Sequence, residues 1–289
     1  MNDNWLHEAQ RILDKRISAK ISPAKKNLYL IYYKDEQLRE VESEYALIDN
    51  SGPADALLEF GVFEKFYFKE YKKIPHWGIF SWKFQQKTGL SYSQVSNYIS
   101  ENHDADLIYF SPPLEEELMF DNPWIQGFIA HPGFDVIINK IFKSLSIDTD
   151  YLKLVYPFDA TSYCNYFYGN KKFWGSYIQF IRLVVSSVDA RLNSVEREYI
   201  YSGGGVSTNA HGISSFMPFI IERFSSLYLL IMRDKLKIDK CDIRSLLNLR
   251  VSVKNNTIID VKKALNYCVA NSPQYYHLVN VFHALKKSR

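Results

Sequence analysis

Short apolar runs alternate along this chain with longer segments of helical periodicity. Runs rich in β-branched and aromatic residues predict strands, and apolar residues recurring at three- and four-residue intervals predict helices. The predicted strands are 27–33, 45–48, 106–110, 152–156 and 163–168. The predicted helices are 5–17, 54–72, 78–87, 93–100, 123–130, 134–145, 171–186, 189–201 and 214–236. This mixture, without internal repeats, predicts an α/β fold with ligands at the carboxyl ends of strands.

The pattern changes towards the C-terminus. A short β-like segment at 249–253 is followed by helical patterns at 259–269 and 274–286. We therefore predict a main domain at 1–236, which includes the helix at 5–17, and a small, mainly helical subdomain at 237–289.

Composition and charge exclude several classes of protein. The chain of 289 residues is 47% hydrophobic and 23% charged, which is enough apolar material for a sizeable core and argues against disorder. The net charge of +3 is too small for a dedicated nucleic-acid binder, so no nucleic-acid partner is expected.

Cysteine usage and hydropathy bear on location. The three cysteines are far apart in sequence, which favours free thiols in a reducing compartment over a disulfide framework. The N-terminus lacks the apolar region of a secretory signal, and no run approaches eighteen apolar residues. We expect a cytoplasmic protein, and peripheral association with the inner membrane remains open.

Aromatic residues are abundant, and familiar catalytic signatures are missing. The 21 Tyr, 19 Phe and 5 Trp suit the stacking of sugar rings, although biased codon usage would give the same composition. The chain has no GxxxxGK[ST], HExxH, GxSxG or paired CxxC sequence. Its one glycine cluster, at 202–205, follows a predicted helix, which favours a flexible hinge over a phosphate loop.

Three segments carry a resemblance to a known family. They are DADLIYFSP at 104–112, PFDATSYCNYFYGNKKFW at 157–174 and HGISSFMPFIIERFSSLYL at 211–229. Together they resemble GT-A-type glycosyltransferases of bacterial capsule and O-antigen synthesis. In those enzymes a "CNyF" strand leads to a helix that begins like "kkFW", and a later helix carries "ERxxSxxL". The similarity spans residues 28–230.

The resemblance implies both a fold and an activity. The fold would be a GT-A-like, Rossmann-like mixed sheet flanked by helices. The activity would be transfer of a hexose from a nucleotide diphosphate sugar, in the first place a UDP-sugar, to a polysaccharide or lipid-linked oligosaccharide acceptor. Two other hypotheses stay open: a non-catalytic interaction subunit of a polysaccharide-assembly complex, and an unrelated α/β hydrolase or nucleotidyltransferase.

Two carboxylates are candidate catalytic residues, because glycosyl transfer needs a base for the acceptor hydroxyl and a partner for the departing diphosphate. Asp159 lies between two predicted strands, where the alternative role is capping a turn. Glu222 and Arg223 interrupt an apolar helix, which is costly unless they are paired or face a cleft. The resemblance suggests Glu222 as the base and Arg223 as a diphosphate partner; the alternative is a structural ion pair.

Candidate binding residues come from several loops. The segment 72–84 combines aromatic rings with cations around a Pro and a Gly, although Trp77 would also suit the core face of a helix. The end of the first strand is where nucleotides bind in open α/β sheets. The candidate donor- and acceptor-binding residues are Tyr32, Lys34, His76, Trp77, Trp82, Lys83, Asn165, His211 and Arg223.

The metal requirement is left open by the sequence. Metal-dependent GT-A enzymes place DxD after an apolar strand, where it holds Mg²⁺ or Mn²⁺ on the diphosphate. Here Asp104 and Asp106, the candidate metal ligands, precede their strand. We therefore keep Mn²⁺ or Mg²⁺ as an optional cofactor and metal independence as its alternative.

Overall fold

The computed structural model describes residues 27–52, 57–70, 73–113, 115–201, 208–209, 212–213 and 215–287. The helix predicted at 5–17 and the candidate residue His211 lie outside this part of the chain. The strands are β1 (Leu28–Tyr32), β2 (Ala46–Asp49), β3 (His76–Ser81), β4 (Leu107–Tyr109), β5 (Phe167–Asn170), β6 (Thr208–Asn209), β7 (Gly212–Ile213) and β8 (Ile238–Lys240).

Helices connect these strands. The α-helices are α1 (Glu59–Glu70), α2 (Phe84–Thr88), α3 (Tyr92–Glu101), α4 (Glu116–Met119), α5 (Pro123–Ala130), α6 (Phe134–Ser144), α7 (Lys171–Arg191), α8 (Ser194–Tyr201), α9 (Met217–Met232), α10 (Ile243–Leu246), α11 (Val253–Leu265) and α12 (Pro273–Lys287). Short 3-10 helices lie at Asp35–Glu40, Thr149–Leu152 and Phe158–Ala160.

Six strands form one mixed sheet in the order β2-β1-β3-β5-β4-β8. Strand β1 runs parallel to β2 and β3, and β4 runs parallel to β8. Strand β5 is antiparallel to both of its neighbours, β3 and β4. The other five strands therefore end at one edge of the sheet, where β5 begins; we call this the carboxyl edge and the opposite one the amino edge. The predicted α/β class is confirmed.

The sheet is buried on both faces, because side chains alternate along each strand. In β1, Tyr29 and Ile31 join the larger hydrophobic core, whereas Leu28 and Leu30 join a second core on the other face. Helices α1, α7 and α9 contribute to the first core, and α2 and α3 contribute to the second. The sheet thus forms the middle layer between two layers of helices.

Strand β3 lies where the sequence pattern predicts the start of a helix at 78–87, so that prediction is wrong for 78–81. The ring of Trp77 stacks on that of Trp174 in α7, with centroids 3.8 Å apart and planes at 2°. Trp77 is 1% exposed, so in this structure it belongs to the core and its predicted ligand-binding role does not fit. Gly78 is required beside it, because a Cβ there would lie 2.9 Å from the carbonyl oxygen of Phe167.

The strand predicted at 152–156 is also wrong, since this segment is a 3-10 turn followed by irregular chain. Several of its backbone groups bond to side chains instead of to a neighbouring strand. The Asn122 amide donates to the Leu152 carbonyl at 3.1 Å, and the Val155 N–H donates to the Tyr275 hydroxyl at 2.8 Å. Side chains from α12 and from the loop before α5 therefore satisfy groups that a sheet would otherwise satisfy.

The C-terminal region contributes one strand to the main sheet and two helices to a separate core. Strand β8 pairs with β4 at the edge of the sheet, whereas the β-like segment at 249–253 is irregular chain. Helices α11 and α12 pack on each other and form a third core with Leu118, Val155 and Phe158 of the preceding chain. Among the described residues, no helix combines the length and apolar character needed to cross a membrane.

Candidate functional site

The structure brings five of the predicted binding residues to the carboxyl edge. Tyr32 is the last residue of β1 and Lys34 follows shortly after it. Trp82 and Lys83 follow β3, and Asn165 lies just before β5 begins. In open α/β sheets this edge is the usual place for ligands, because the loops that leave the strands converge there.

An aromatic face and cations are available where β1 and β3 end. The Trp82 N–H donates to the Ile31 carbonyl at 2.9 Å, which ties the end of β3 to β1. Trp82 and Lys83 are half-buried, and the Lys83 ammonium lies 5.1 Å from the centroid of the Trp82 ring. Lys34 is exposed. This part of the edge thus combines a ring for stacking with two positive charges.

Four ionisable side chains interact at the same edge and form what we call the glutamate–lysine cluster: Glu59, Lys87, Cys164 and Glu222. Glu59 begins α1, Lys87 lies in α2, Cys164 precedes β5, and Glu222 lies on α9. The Lys87 ammonium donates to the Cys164 sulfur at 3.5 Å. The charges of Glu59 and Glu222 both act on Lys87, so one cation lies within electrostatic range of two carboxylates.

The carboxyl group of Glu222 titrates near neutral pH. Burial raises the pKa of Glu222 to about 7, and the charge of Glu59 adds to this rise, while Lys87 and Arg223 oppose it. Burial also raises the pKa of Glu59, again opposed by Lys87. Both glutamates are only half-buried, so solvent reaches them. Glu222 therefore exchanges a proton with its surroundings at physiological pH.

Lys87 stays protonated because of the two glutamates. Burial alone would lower the pKa of Lys87, but its interactions with Cys164, Glu222 and Glu59 outweigh burial and raise it. Burial raises the pKa of the Cys164 thiol to about 12, so this thiol is neutral near pH 7 and supplies no charge. We therefore attribute the stabilisation of the ammonium to the carboxylates.

The sequence prediction missed three members of this cluster. Glu59 and Lys87 look like ordinary charged residues at the ends of helices, and the sequence predicts only a free thiol at Cys164, which the structure confirms. Their positions relative to the strands could have identified them. Glu59 and Lys87 follow strands that end at the carboxyl edge, and Cys164 precedes β5, which begins there. Assigning 78–81 to a helix hid that signal for Lys87.

Hydrogen bonds hold α9 at a fixed position against the chain entering β5. The Asn165 side-chain oxygen accepts from the Ser225 hydroxyl at 2.8 Å. The Ser226 hydroxyl accepts from the Ser162 N–H at 3.0 Å and donates to the Ser162 carbonyl at 2.9 Å. Ser226 lies one helical turn after Glu222, so these bonds fix the catalytic candidate relative to the edge. Asn165 is buried and takes part in this positioning.

Arg223 is buried and joins α5 to α9. Its guanidinium donates to the carbonyl oxygens of Pro123 and Phe219, both at 3.1 Å, and to the side-chain oxygen of Gln126. Arg223 is 6% exposed. A buried guanidinium needs such partners, and here the protein itself supplies them. The prediction that Arg223 faces a diphosphate therefore does not fit this structure.

The contact between Arg223 and Gly127 allows a test of this packing. A Cβ at Gly127 would lie 2.5 Å from the Arg223 Nε and 3.0 Å from the Phe134 ring. Gly127→Ala is expected to lower the free energy of unfolding by about 1–3 kcal/mol, because overpacking outweighs the gain in helix propensity. Urea denaturation would measure it. Gly52→Ala, with no atom within 4 Å of the added Cβ, is the control. Equal stability of the two variants would contradict the close packing.

Asp159 lies in a different environment from Glu222. Its N–H donates to the side-chain oxygen of Asn266 at 3.1 Å, in the turn after α11. Burial raises the pKa of Asp159, and the charges of Lys240 and Lys263 oppose that rise. The two predicted catalytic carboxylates thus have separate sets of partners, one beside β8 and α11 and the other beside α1 and α2. Glu222 is the stronger candidate for a base.

His76 and Asp106 lie at the amino edge, away from the glutamate–lysine cluster. His76 begins β3 and is in register with Asn170, the last residue of β5. The Asp106 carboxylate accepts from the Asn170 amide at 2.7 Å and from Lys172 at 3.1 Å. The predicted roles of His76 in donor binding and of Asp106 in metal binding therefore do not fit the carboxyl edge.

The other predicted metal ligand, Asp104, forms an ion pair with Lys237. The predicted metal-binding role does not fit Asp104 and Asp106, because both aspartates precede β4 and so lie at its amino end. In the described part of the chain, no group of three or more His, Cys, Asp or Glu residues is arranged to hold a metal ion.

Comparisons with known proteins give no assignment. Neither the protein-family models, nor the curated proteins, nor the solved structures contain a match to this chain. The candidate function therefore depends on the geometry of the carboxyl edge and on the glutamate–lysine cluster.

Proposed function

We propose that the chain is a GT-A-like glycosyltransferase that moves a hexose from a nucleotide diphosphate sugar, in the first place a UDP-sugar, to a polysaccharide or lipid-linked oligosaccharide acceptor. The observation that carries the proposal is Glu222, a half-buried carboxylate at the carboxyl edge whose pKa is raised by burial to about 7. A general base is most effective when its pKa lies near the working pH.

In the proposed reaction, Glu222 takes the proton of the acceptor hydroxyl as that oxygen bonds to the anomeric carbon of the donor. The bond between the anomeric carbon and the diphosphate breaks, and the nucleotide diphosphate leaves with the electron pair. Lys87 carries a positive charge within electrostatic range of Glu222, so it is suited to interact with the negative charge that develops on the diphosphate.

The neighbouring loops suit the rest of the donor. Trp82 presents a half-buried ring beside the Lys83 ammonium, and Tyr32 and Lys34 lie where β1 ends. A nucleotide combines a flat base with an anionic diphosphate, and these side chains offer stacking and positive charge to the two parts. Whether the reaction requires Mn²⁺ or Mg²⁺ is decided by the experiment below.

The test uses the purified chain with a panel of nucleotide sugars and oligosaccharide or polyprenyl-linked acceptors, with Mn²⁺ or with EDTA. We expect one hexose donor to release its nucleotide diphosphate in the presence of acceptor and to raise the melting temperature selectively. Turnover of a nucleoside triphosphate with all nucleotide sugars intact would instead indicate an unrelated α/β enzyme. No turnover and no change in melting temperature would favour an interaction subunit.

A further inference from the structure

A cavity of about 390 Å³ lies where α4 meets the two C-terminal helices, α11 and α12. Its apolar wall is formed by Leu118, Met119 and Ile258. Its polar lining is formed by Glu115, Lys254, Asn255 and Lys286. This volume is within the range of small-molecule sites, in which an apolar wall buries most of the ligand and a few polar groups orient it.

One carboxylate and one ammonium group line this cavity without an ion-pair partner. Among the described residues, neither Glu115 nor Lys254 forms an ion pair, either with the other or with a third side chain. Glu115 immediately precedes α4, but its side chain makes no capping hydrogen bond. Other cations of the C-terminal region are paired inside the fold, namely Lys240, Arg244, Lys263 and Lys286. The charges of Glu115 and Lys254 are therefore available to a ligand.

Opposite charges in one cavity select the chemistry of the ligand. A ligand that is only anionic would be repelled by Glu115, and one that is only cationic would be repelled by Lys254 and Lys286. A zwitterion satisfies both signs, because its carboxylate would accept from Lys254 and Asn255 while its ammonium donates to Glu115. The apolar wall would then take a hydrocarbon side chain.

We propose that this cavity binds a free α-amino acid with an apolar side chain. Its lining residues come from α4, the residue before it, α11 and α12, and none of them belongs to the glutamate–lysine cluster. A bound amino acid would join Glu115 at the start of α4 to Lys254 in the first turn of α11, and so stabilise the folded chain. The proposal does not depend on the transferase activity.

The test is calorimetric titration of the full chain with L-leucine and L-phenylalanine. Leucine is compared with three compounds that each lack one of its features: 4-methylpentanoate has no ammonium group, 3-methylbutylamine has no carboxylate, and glycine has no apolar side chain. Leucine should bind about tenfold more tightly than each of the three, because each deletion leaves a polar partner or the apolar wall unsatisfied. It should also raise the melting temperature.

Two variants locate the amino acid in the cavity. Glu115→Gln and Lys254→Gln should each weaken leucine binding by about tenfold. In Glu115→Gln, leucine should lose its advantage over 4-methylpentanoate, and in Lys254→Gln it should lose its advantage over 3-methylbutylamine, because the partner of the missing group is gone. Glu116→Gln and Lys143→Gln make the same changes at positions that do not line the cavity, and both should bind like the wild type.

Three results would overturn the proposal. The first is no heat of binding with either amino acid, and the second is equal affinity for leucine and its three comparison compounds. The third is wild-type affinity in both Glu115→Gln and Lys254→Gln, which would place the amino acid elsewhere on the chain. Because the titration contains no nucleotide sugar, its failure would leave the proposed transfer reaction unaffected.

Discussion

Replacing Glu222 with glutamine is expected to lower the transfer rate by about 10²- to 10⁴-fold while making the folded protein more stable above pH 7. Glutamine keeps the size of the side chain but cannot take a proton from an acceptor hydroxyl. The wild-type rate should rise with pH through about 7, where Glu222 loses its proton. The variant should lack that step in the pH profile.

The gain in stability follows from proton linkage. Burial raises the pKa of Glu222 in the folded state above its ordinary value, so between about pH 4.5 and pH 7 the folded state holds more protons than the unfolded state. The contribution of this group to stability is therefore lost as pH rises through about 7. Glutamine has no charge at this position in either state. The free energy of unfolding of the variant at pH 8 is therefore expected to exceed that of the wild type by about 1–2 kcal/mol.

Urea denaturation at pH 5 and pH 8 would measure this change, together with product formation. Glu101→Gln, at an exposed position at the end of α3, is the control and should match the wild type in both assays. If Glu222→Gln proved less stable at pH 8 and transferred sugar normally, Glu222 would be a structural partner of Lys87 and not a base.

Glu117→Gln is expected to destabilise the protein by about 3–5 kcal/mol. The Glu117 carboxylate is 1% exposed and accepts from Lys240 and from Arg244, the latter at 2.9 Å. The Lys262 ammonium donates to the Glu117 carbonyl at 2.6 Å. A neutral glutamine would leave Lys240 buried without its anion, and such uncompensated charges are costly.

The pH dependence of this cluster has the opposite sign to that of Glu222. Burial alone would raise the pKa of Glu117, but Lys240 and Arg244 outweigh it and hold the pKa below its usual value. The stabilisation is therefore present above the ordinary pKa of glutamate and is lost as pH falls through the lower, folded value.

Urea denaturation near neutral pH is the measurement for Glu117→Gln. Glu116→Gln, one residue earlier and half-exposed, makes the same chemical change and should alter stability by less than about 0.5 kcal/mol. Similar stabilities for the two variants would mean that the buried ion pairs contribute little to holding α4 against β8 and α11.

Much of the architecture could be predicted because local signals and tertiary packing agree. Helix α5 occupies the predicted span of 123–130, since Asn122 accepts from the Ile125 N–H and Pro123 occupies the first turn. Helix α3 begins after Ser91, whose hydroxyl accepts from the Gln94 N–H. These boundaries are encoded within a few residues of the element itself.

Strand β3 shows why the remainder could not be predicted. Trp77, Phe80 and Phe84 have the spacing of a helix face, but β1 and β5 both pair with this segment and extend it. The candidate functional site could likewise be predicted only in part. Glu222 is visible in the sequence because a charge interrupts an apolar helix, whereas the electrostatic influence of two glutamates on Lys87 depends on strand order.

The pairing of β8 with β4 has a consequence for biosynthesis. Leu107 lies beside Ile238, so β4 remains the outermost strand of the sheet until about four-fifths of the chain has been translated. Until then the hydrogen-bonding groups of β4 on that side are open to other strands, which makes the nascent chain prone to aggregation. Ribosome-associated chaperones would be most useful to this protein during that interval, and premature termination before residue 238 would leave β4 without its outer neighbour.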